Sequence, residues 1–250
     1  EVFERVLLDK AGNLSTEQLG NALQAGWHLA RGGEHRLGRK LLRNAGIALT
    51  LRGDGLIEAV PALDAALGIY RQQRRSRFEQ LALLAPLTLA GTYFDWRLSY
   101  QYGDETLDIA LELTGLNLAR KLERFLPGKL ALWFALGWGF VRFQASRRLQ
   151  AAHTFREAIL AVIALGTATL GTCLVVNDRV RAIRVSEQLR PLALFPRMHA
   201  AHMLHVFQQA LVDCCFGRYE QMTERSREVL QWLGRPGEIP IIPAEARVQL

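Results

Sequence analysis

Two glycine spacings twenty residues apart constrain this chain more than anything else in it: Gly26, Leu29 and Gly33, then Gly46, Leu49 and Gly53. Each reads Gly-x2-Leu-x3-Gly within helix-forming sequence. A small residue inside a helix lets a second backbone come close, and a glycine past its end supplies the left-handed residue that terminates it. The doubled pattern predicts helices folded back on one another, with twenty residues as the interval between successive helices. It carries architecture and no chemistry.

The class follows from what surrounds that pattern. Half of the 250 residues are apolar, alanine and leucine dominate, and no run alternates in the way a strand requires, so the chain is expected to be all-α. Its length suffices for a core without metal or disulfide support. Cys173, Cys214 and Cys215 lie in apolar stretches without C-x-x-C spacing and read as reduced, buried thiols in a cytoplasmic setting.

Hydrophobic spacing, caps and breakers predict the helices in order. Ser15 and Thr16 cap a first helix ending at Arg31, and a second runs from about Arg36 to Arg52. A third begins near Ala59, since Pro61 suits a first turn, and buries Leu63, Leu67 and Tyr70. Phe78 to Tyr100 reads as a fourth, kinked or interrupted at Pro86. A fifth starts at Asp104 and Glu105 and ends in Arg120, Lys121 and Arg124 before Pro127, with charges that suit the helix dipole. Leu130 to Phe143 is next, then a long helix from about Arg147 with a break near Gly166, a turn at Asn177 and Asp178, and a short helix to Leu189. Arg197 to Phe216 and Tyr219 to Leu233 form a last hairpin around Gly217. The chain reads as one domain over 1–250 with 15–75 as a sub-unit and 234–250 connecting onward, a piece of something longer.

Ala158 to Val176 runs nineteen residues without a charge, the length of a bilayer-spanning helix. Its threonines and glycines, and arginines on both flanks at Arg156 and Arg179, favour a buried core helix in a soluble protein, with a membrane span as the competing reading.

Chemistry is sparse. Gly33 to Lys40 approaches a phosphate-binding loop, but Arg39 and Lys40 follow Gly38 where Lys and then Ser or Thr are required, and no strand leads in. His199, His202 and His205 share helical spacing, yet His202 and His205 are expected to point away from the stripe of Ala200, Leu204, Phe207, Leu211 and Cys214, toward solvent and without a third ligand. Asp104, Asp108 and Glu112 form an acidic face expected to pair with arginines of a neighbouring helix. No metal, cofactor or catalytic residue is expected.

The formal charge of +7 comes mainly from arginine, densest at Arg71, Arg74, Arg75 and Arg77 and again at Arg179, Arg181 and Arg184. No base-reading aromatics interleave with these clusters, so nucleic acid is not an expected partner. The aromatic group Tyr93, Phe94, Trp96, Tyr100 and Tyr102 either packs between helices or lines a groove for peptide. Arg71, Arg74, Arg75, Trp96 and Tyr100 are the candidate partner-binding residues, for a protein, a peptide or neighbouring domains of the same chain.

The helical spacing resembles the tetratricopeptide repeat. Gly26, Leu29 and Gly33 correspond to a first helix and its turn, and Gly38, Leu42 and Ala45 to second-helix contacts. Gly46, Leu49 and Gly53 restart the pattern, followed by Ala59, Leu63 and Ala66, and Gly217 with Tyr219 looks like another turn. Leu84-Ala-Pro-Leu87 with Tyr102-Gly103, and Leu189-Arg-Pro-Leu192 with Gly217-Arg-Tyr219, resemble the helical C-terminal region of large bacterial signalling proteins, in which a serine/threonine kinase domain and an AAA-type ATPase module come first. The resemblance implies a tetratricopeptide-like α-solenoid of stacked antiparallel hairpins and a non-catalytic interaction or sensing role, with any kinase or ATPase activity in the parent.

Overall fold

The computed structural model describes residues 2, 6, 14–52, 56–93, 95–146, 154–194 and 199–233. Every regular element among them is a helix. The α-helices are α1 (Thr16–Arg31), α2 (His35–Arg52), α3 (Leu56–Gln72), α4 (Arg77–Tyr93), α5 (Trp96–Thr114), α6 (Leu116–Leu122), α7 (Gly128–Ser146), α8 (Phe155–Val176), α9 (Arg179–Leu189), α10 (His199–Cys215) and α11 (Tyr219–Leu233), with a 3-10 turn at Arg190–Leu194. The all-α class is as the composition predicts.

The opening glycines act as close-approach points. A Cβ on Gly26 would stand 2.9 Å from the Leu42 nitrogen, and one on Gly38 would stand 2.7 Å from the Ala30 nitrogen, so α1 and α2 touch backbone to backbone there. Gly33 takes φ +95 in the turn between them, and Ser15 closes the other end of α1 with a capping box: its hydroxyl accepts from the Gln18 N–H at 3.2 Å, and the Gln18 side chain accepts from its N–H at 2.9 Å. Gly46 faces Leu63 of α3 at 3.1 Å. Leu49 is fully buried, Leu29 partly so, and Gly53 lies outside the described residues.

Several boundaries differ from the sequence expectation. The predicted fourth helix stops at Tyr93, because Asp95 caps a new helix by accepting from the Arg97 N–H at 3.0 Å, and α5 begins at Trp96 rather than Asp104. The predicted fifth helix does not run on to Arg124: Gly115 adopts φ +77 and divides it into α5 and α6. Helix α3 starts at Leu56, so Pro61 lies inside it, and neither Pro86 nor Gly166 interrupts its helix. Residues 147–153, expected to open the long helix, and 234–250, expected to be a connection, fall outside the described residues.

Helix α8 is the hub. It packs on α4, α5, α9 and α10, and 56% of Ala158–Val176 is buried, although among the described residues it is the one helix long and apolar enough to cross a bilayer. Its threonines carry their own solution to burial: the Thr167, Thr169 and Thr172 hydroxyls donate to the carbonyls of Ile163, Leu165 and Ala168 at 2.8–3.0 Å. Cys173 is fully buried on the same helix, and burial pushes its thiol up to about 12. Small residues again mark the crossings: Gly103 of α5 faces Thr169, and Gly166 faces Leu189 of α9.

Leu63, Leu67 and Tyr70 of α3 are fully buried, and α3 and α2 both pack on α4. Each such leucine withdraws about 1.5–3 kcal/mol worth of apolar surface from water. A chain beginning at residue 76 is therefore expected to expose the matching face of α4 and aggregate, as size-exclusion chromatography would register. A monomeric, fully helical product that melts where the parent does would contradict the packing.

Candidate interaction surfaces

The acidic row of α5 is the charged seam of the molecule. Asp104 pairs with Arg181 of α9 at 3.0 Å and with Arg184; Asp108 accepts from Gln188 at 2.9 Å; Glu112 pairs with Arg77 of α4 at 3.2 Å and Arg142 of α7 at 2.5 Å. Asp104 and Glu112 thus pair with arginines of neighbouring helices as expected, while Asp108 meets a glutamine instead. Partial burial raises the Asp108 carboxyl above its ordinary range, with the nearby Asp104 adding to the shift and the Gln188 hydrogen bond opposing it.

Arg71, Arg74, Arg75, Trp96 and Tyr100 fall into separate sets. Arg71 pairs with Glu105 at 2.5 Å and lies over the Tyr102 ring, while Arg75 turns the other way to Glu79 at 3.7 Å. Arg74 is exposed in the turn after α3, at φ 52. Trp96 and Tyr100 form an edge-to-face pair on α5, with ring centroids 6.4 Å apart, and are 40% and 42% exposed. Arg97 covers the Trp96 ring, the Arg181 guanidinium lies 4.3 Å from the Tyr100 ring centre, and the Tyr100 hydroxyl donates to Asp178 at 3.3 Å. This is an exposed aromatic pair held by cations. Tyr102 belongs to the core instead: it is buried, its hydroxyl donates to Asp64, and burial with that bond pushes it up to about 12. The Tyr93 side chain and Phe94 lie outside the described residues.

His205 does not face solvent as its position on the helical wheel predicts. It is half-buried, with its Nδ1 enclosed, and its pKa is lowered by burial and then by His202 and Arg225. The wheel misleads because α11 packs on α10 and covers part of that side. His202 is exposed, and the side chains of His199, Ala200 and Leu204 lie outside the described residues. Among the described residues no three His, Cys, Asp or Glu side chains converge in a way that would hold a metal ion.

Two features escaped the sequence reading. One is a depression of about 440 Å³ lined by Arg77, Asp108, Glu112, Arg120, Lys121 and Arg124, whose full lining contains no hydroxyl, thiol or imidazole. The other is the outer side of α7. Its inner side holds Ala131, Leu132, Ala135, Gly139 and Phe143 against the body, while Leu130, Trp133, Phe134, Trp138, Phe140 and Val141 are each between 48% and 64% exposed. A signal existed: a helix apolar all round needs apolar cover all round. Compared with protein-family models, with curated proteins and with solved structures, the chain matches none.

Proposed function

We propose that this chain is a non-catalytic helical-repeat scaffold, a tetratricopeptide-like stack of antiparallel hairpins that presents a surface to a protein, a peptide or neighbouring domains of a larger cytoplasmic signalling protein of the bacterial kinase/ATPase type. The observation that carries this reading is the neighbour pattern of the first four helices: α1 packs on α2 and α3, and α2 on α3 and α4. Contact with the next helix and the next but one is how a solenoid is built, each unit burying its face on its neighbours. Antiparallel pairing is supported by residues that descend along one helix as they ascend the other. Gly26 meets Leu42 while Ala30 meets Gly38, and Gly91 meets Ser99 while Thr88 meets Thr106.

The exposed Trp96–Tyr100 pair is the assigned partner site, since aromatic and arginine anchors carry most of the energy in such contacts. Peptides selected from a displayed library on the folded chain are expected to bind with Kd in the micromolar range, and Trp96→Ala with Tyr100→Ala to weaken them about tenfold, a loss of roughly 1.4 kcal/mol. Peptides that bind equally well to the double variant would move the site elsewhere, and a selection yielding no binder would count against the scaffold reading.

A further inference from the structure

We propose that the α6–α7 hairpin docks this chain onto the surface of an anionic phospholipid bilayer, with the outer stripe of α7 seated at the headgroup boundary. This goes beyond the scaffold reading, uses a different surface from Trp96 and Tyr100, and stands or falls separately from it.

The first observation is the stripe itself. At 100° per residue the outward side chains from Leu130 to Val141 occupy an arc of roughly 160°, and the residues turned to the body occupy the rest. Monomeric proteins in water rarely leave a contiguous apolar strip of this size uncovered. The composition is particular, too: two indoles, two phenyl rings, a leucine and a valine, with Phe125 of the preceding turn 83% exposed. Tryptophan and phenylalanine on one side of a helix are the side chains that settle at a membrane boundary.

The second observation is charge. From Arg124 to Arg156 the chain has six cationic residues, Arg124, Lys129, Arg142, Arg147, Arg148 and Arg156, and no carboxylate. Several arginines elsewhere find acids, Arg39, Arg71, Arg77, Arg181, Arg190 and Arg218 among them, and on α7 Arg142 pairs with Glu112. On the hairpin, Arg120, Lys121, Arg124 and Lys129 are exposed and have no acidic partner among the described residues. Cations left unpaired beside an uncovered aromatic stripe complement a surface that is apolar beneath and anionic on top.

Those charges also decide between occupants. A second copy joined about a two-fold axis would set the same cationic hairpins against each other. A protein partner anchors best where side chains enter pockets, whereas the described depression at this hairpin is lined by none of the α7 side chains and the stripe itself is a helix ridge. A fluid bilayer conforms to a ridge without a matching cavity.

The test is sedimentation of the folded chain with large unilamellar vesicles of phosphatidylcholine alone or with one quarter phosphatidylglycerol. Binding to the anionic vesicles is expected to be at least about tenfold stronger than to the neutral ones, and to weaken when salt rises from about 0.1 M to about 0.5 M. Trp133→Ser with Trp138→Ser should lower it at least about tenfold and remove the blue shift of tryptophan emission on binding. Lys121→Glu with Arg124→Glu and Lys129→Glu should abolish the preference for anionic lipid, and Trp96→Ser should change nothing. Because these side chains are exposed, circular dichroism should show every variant folded; a variant that unfolds is replaced by Phe134→Ser with Val141→Ser, read on the same vesicles. Absence of binding to anionic vesicles, or binding indifferent to the stripe variants, overturns the proposal. So does a dimer seen by light scattering that the double tryptophan variant converts to monomer while the parent chain ignores vesicles, which would give the stripe to a second copy.

Discussion

Replacing Gly139 by alanine is expected to destabilise the fold by about 3 kcal/mol and lower its melting temperature by roughly 10 °C. Helix α7 crosses α5 where the two backbones meet without side chains between them. A Cβ on Gly139 would collide with the Thr114 carbonyl, and one on Gly115 with the Ala135 carbonyl oxygen. Neither obstacle is the mobile end of a side chain, so one helix must move. Gly115 also holds φ +77, which an alanine resists on its own account. Gly137, two residues earlier, is the control: a Cβ there meets nothing within 4 Å, and alanine should raise helix stability by about 1 kcal/mol. Differential scanning calorimetry of the two variants checks the crossing directly. Equal melting points would mean that α7 does not lie on α5 as described.

Glu79→Ala should cost about 3–5 kcal/mol, because it removes the carboxylate paired with the buried Arg39 guanidinium. Both side chains of this pair are only 8% exposed, and Glu79 has further duties. It accepts from the Ser76 N–H at 3.2 Å at the start of α4, where the Ser76 hydroxyl accepts from the Phe78 N–H at 3.3 Å, and it lies 3.7 Å from the Arg75 guanidinium. The single carboxylate thus joins α2 to α4 and closes an exposed helix end. Arg39→Met combined with Glu79→Leu should recover part of the loss, since an apolar pair of similar volume removes the buried guanidinium together with its carboxylate, while Arg75 and the Ser76 N–H still lose Glu79. Urea unfolding of the three variants is the measurement, and a loss below about 1 kcal/mol for Glu79→Ala would reduce the pair to surface strength.

How legible this fold was depends on which signal each part used. The opening hairpin was readable because Gly26, Gly33 and Gly38 do in space what their spacing suggests, two as contact points and one as a turn. The break at Asp95 was not, because Asp104 and Glu105 imitate a helix start. Their carboxylates serve instead to bind Arg181, Arg184 and Arg71 across helices, and nothing in one dimension separates a dipole charge from a tertiary pair. The break at Gly115 was not readable either, since a left-handed glycine and a close-packed glycine look alike in sequence. Of the proposed partner residues, Trp96 and Tyr100 are together and exposed, whereas Arg71 is drawn to Glu105 and Arg75 to Glu79. The outer stripe of α7 is as apolar as its inner side, and sequence alone does not say which side finds cover.

The burial of Cys173 also makes this chain keep time. A thiol pushed up to about 12 is almost never a thiolate at neutral pH, and it sits at zero exposure on the helix that α4, α5, α9 and α10 surround. An alkylating reagent can reach it only when α8 parts from those neighbours, so the labelling rate counts openings of the core rather than the reactivity of a sulfur. Cys214, partly accessible on α10, marks the same reagent's pace without that wait. The ratio of the two rates is a clock for the hub helix, built into the chain and readable by mass in the unmodified protein.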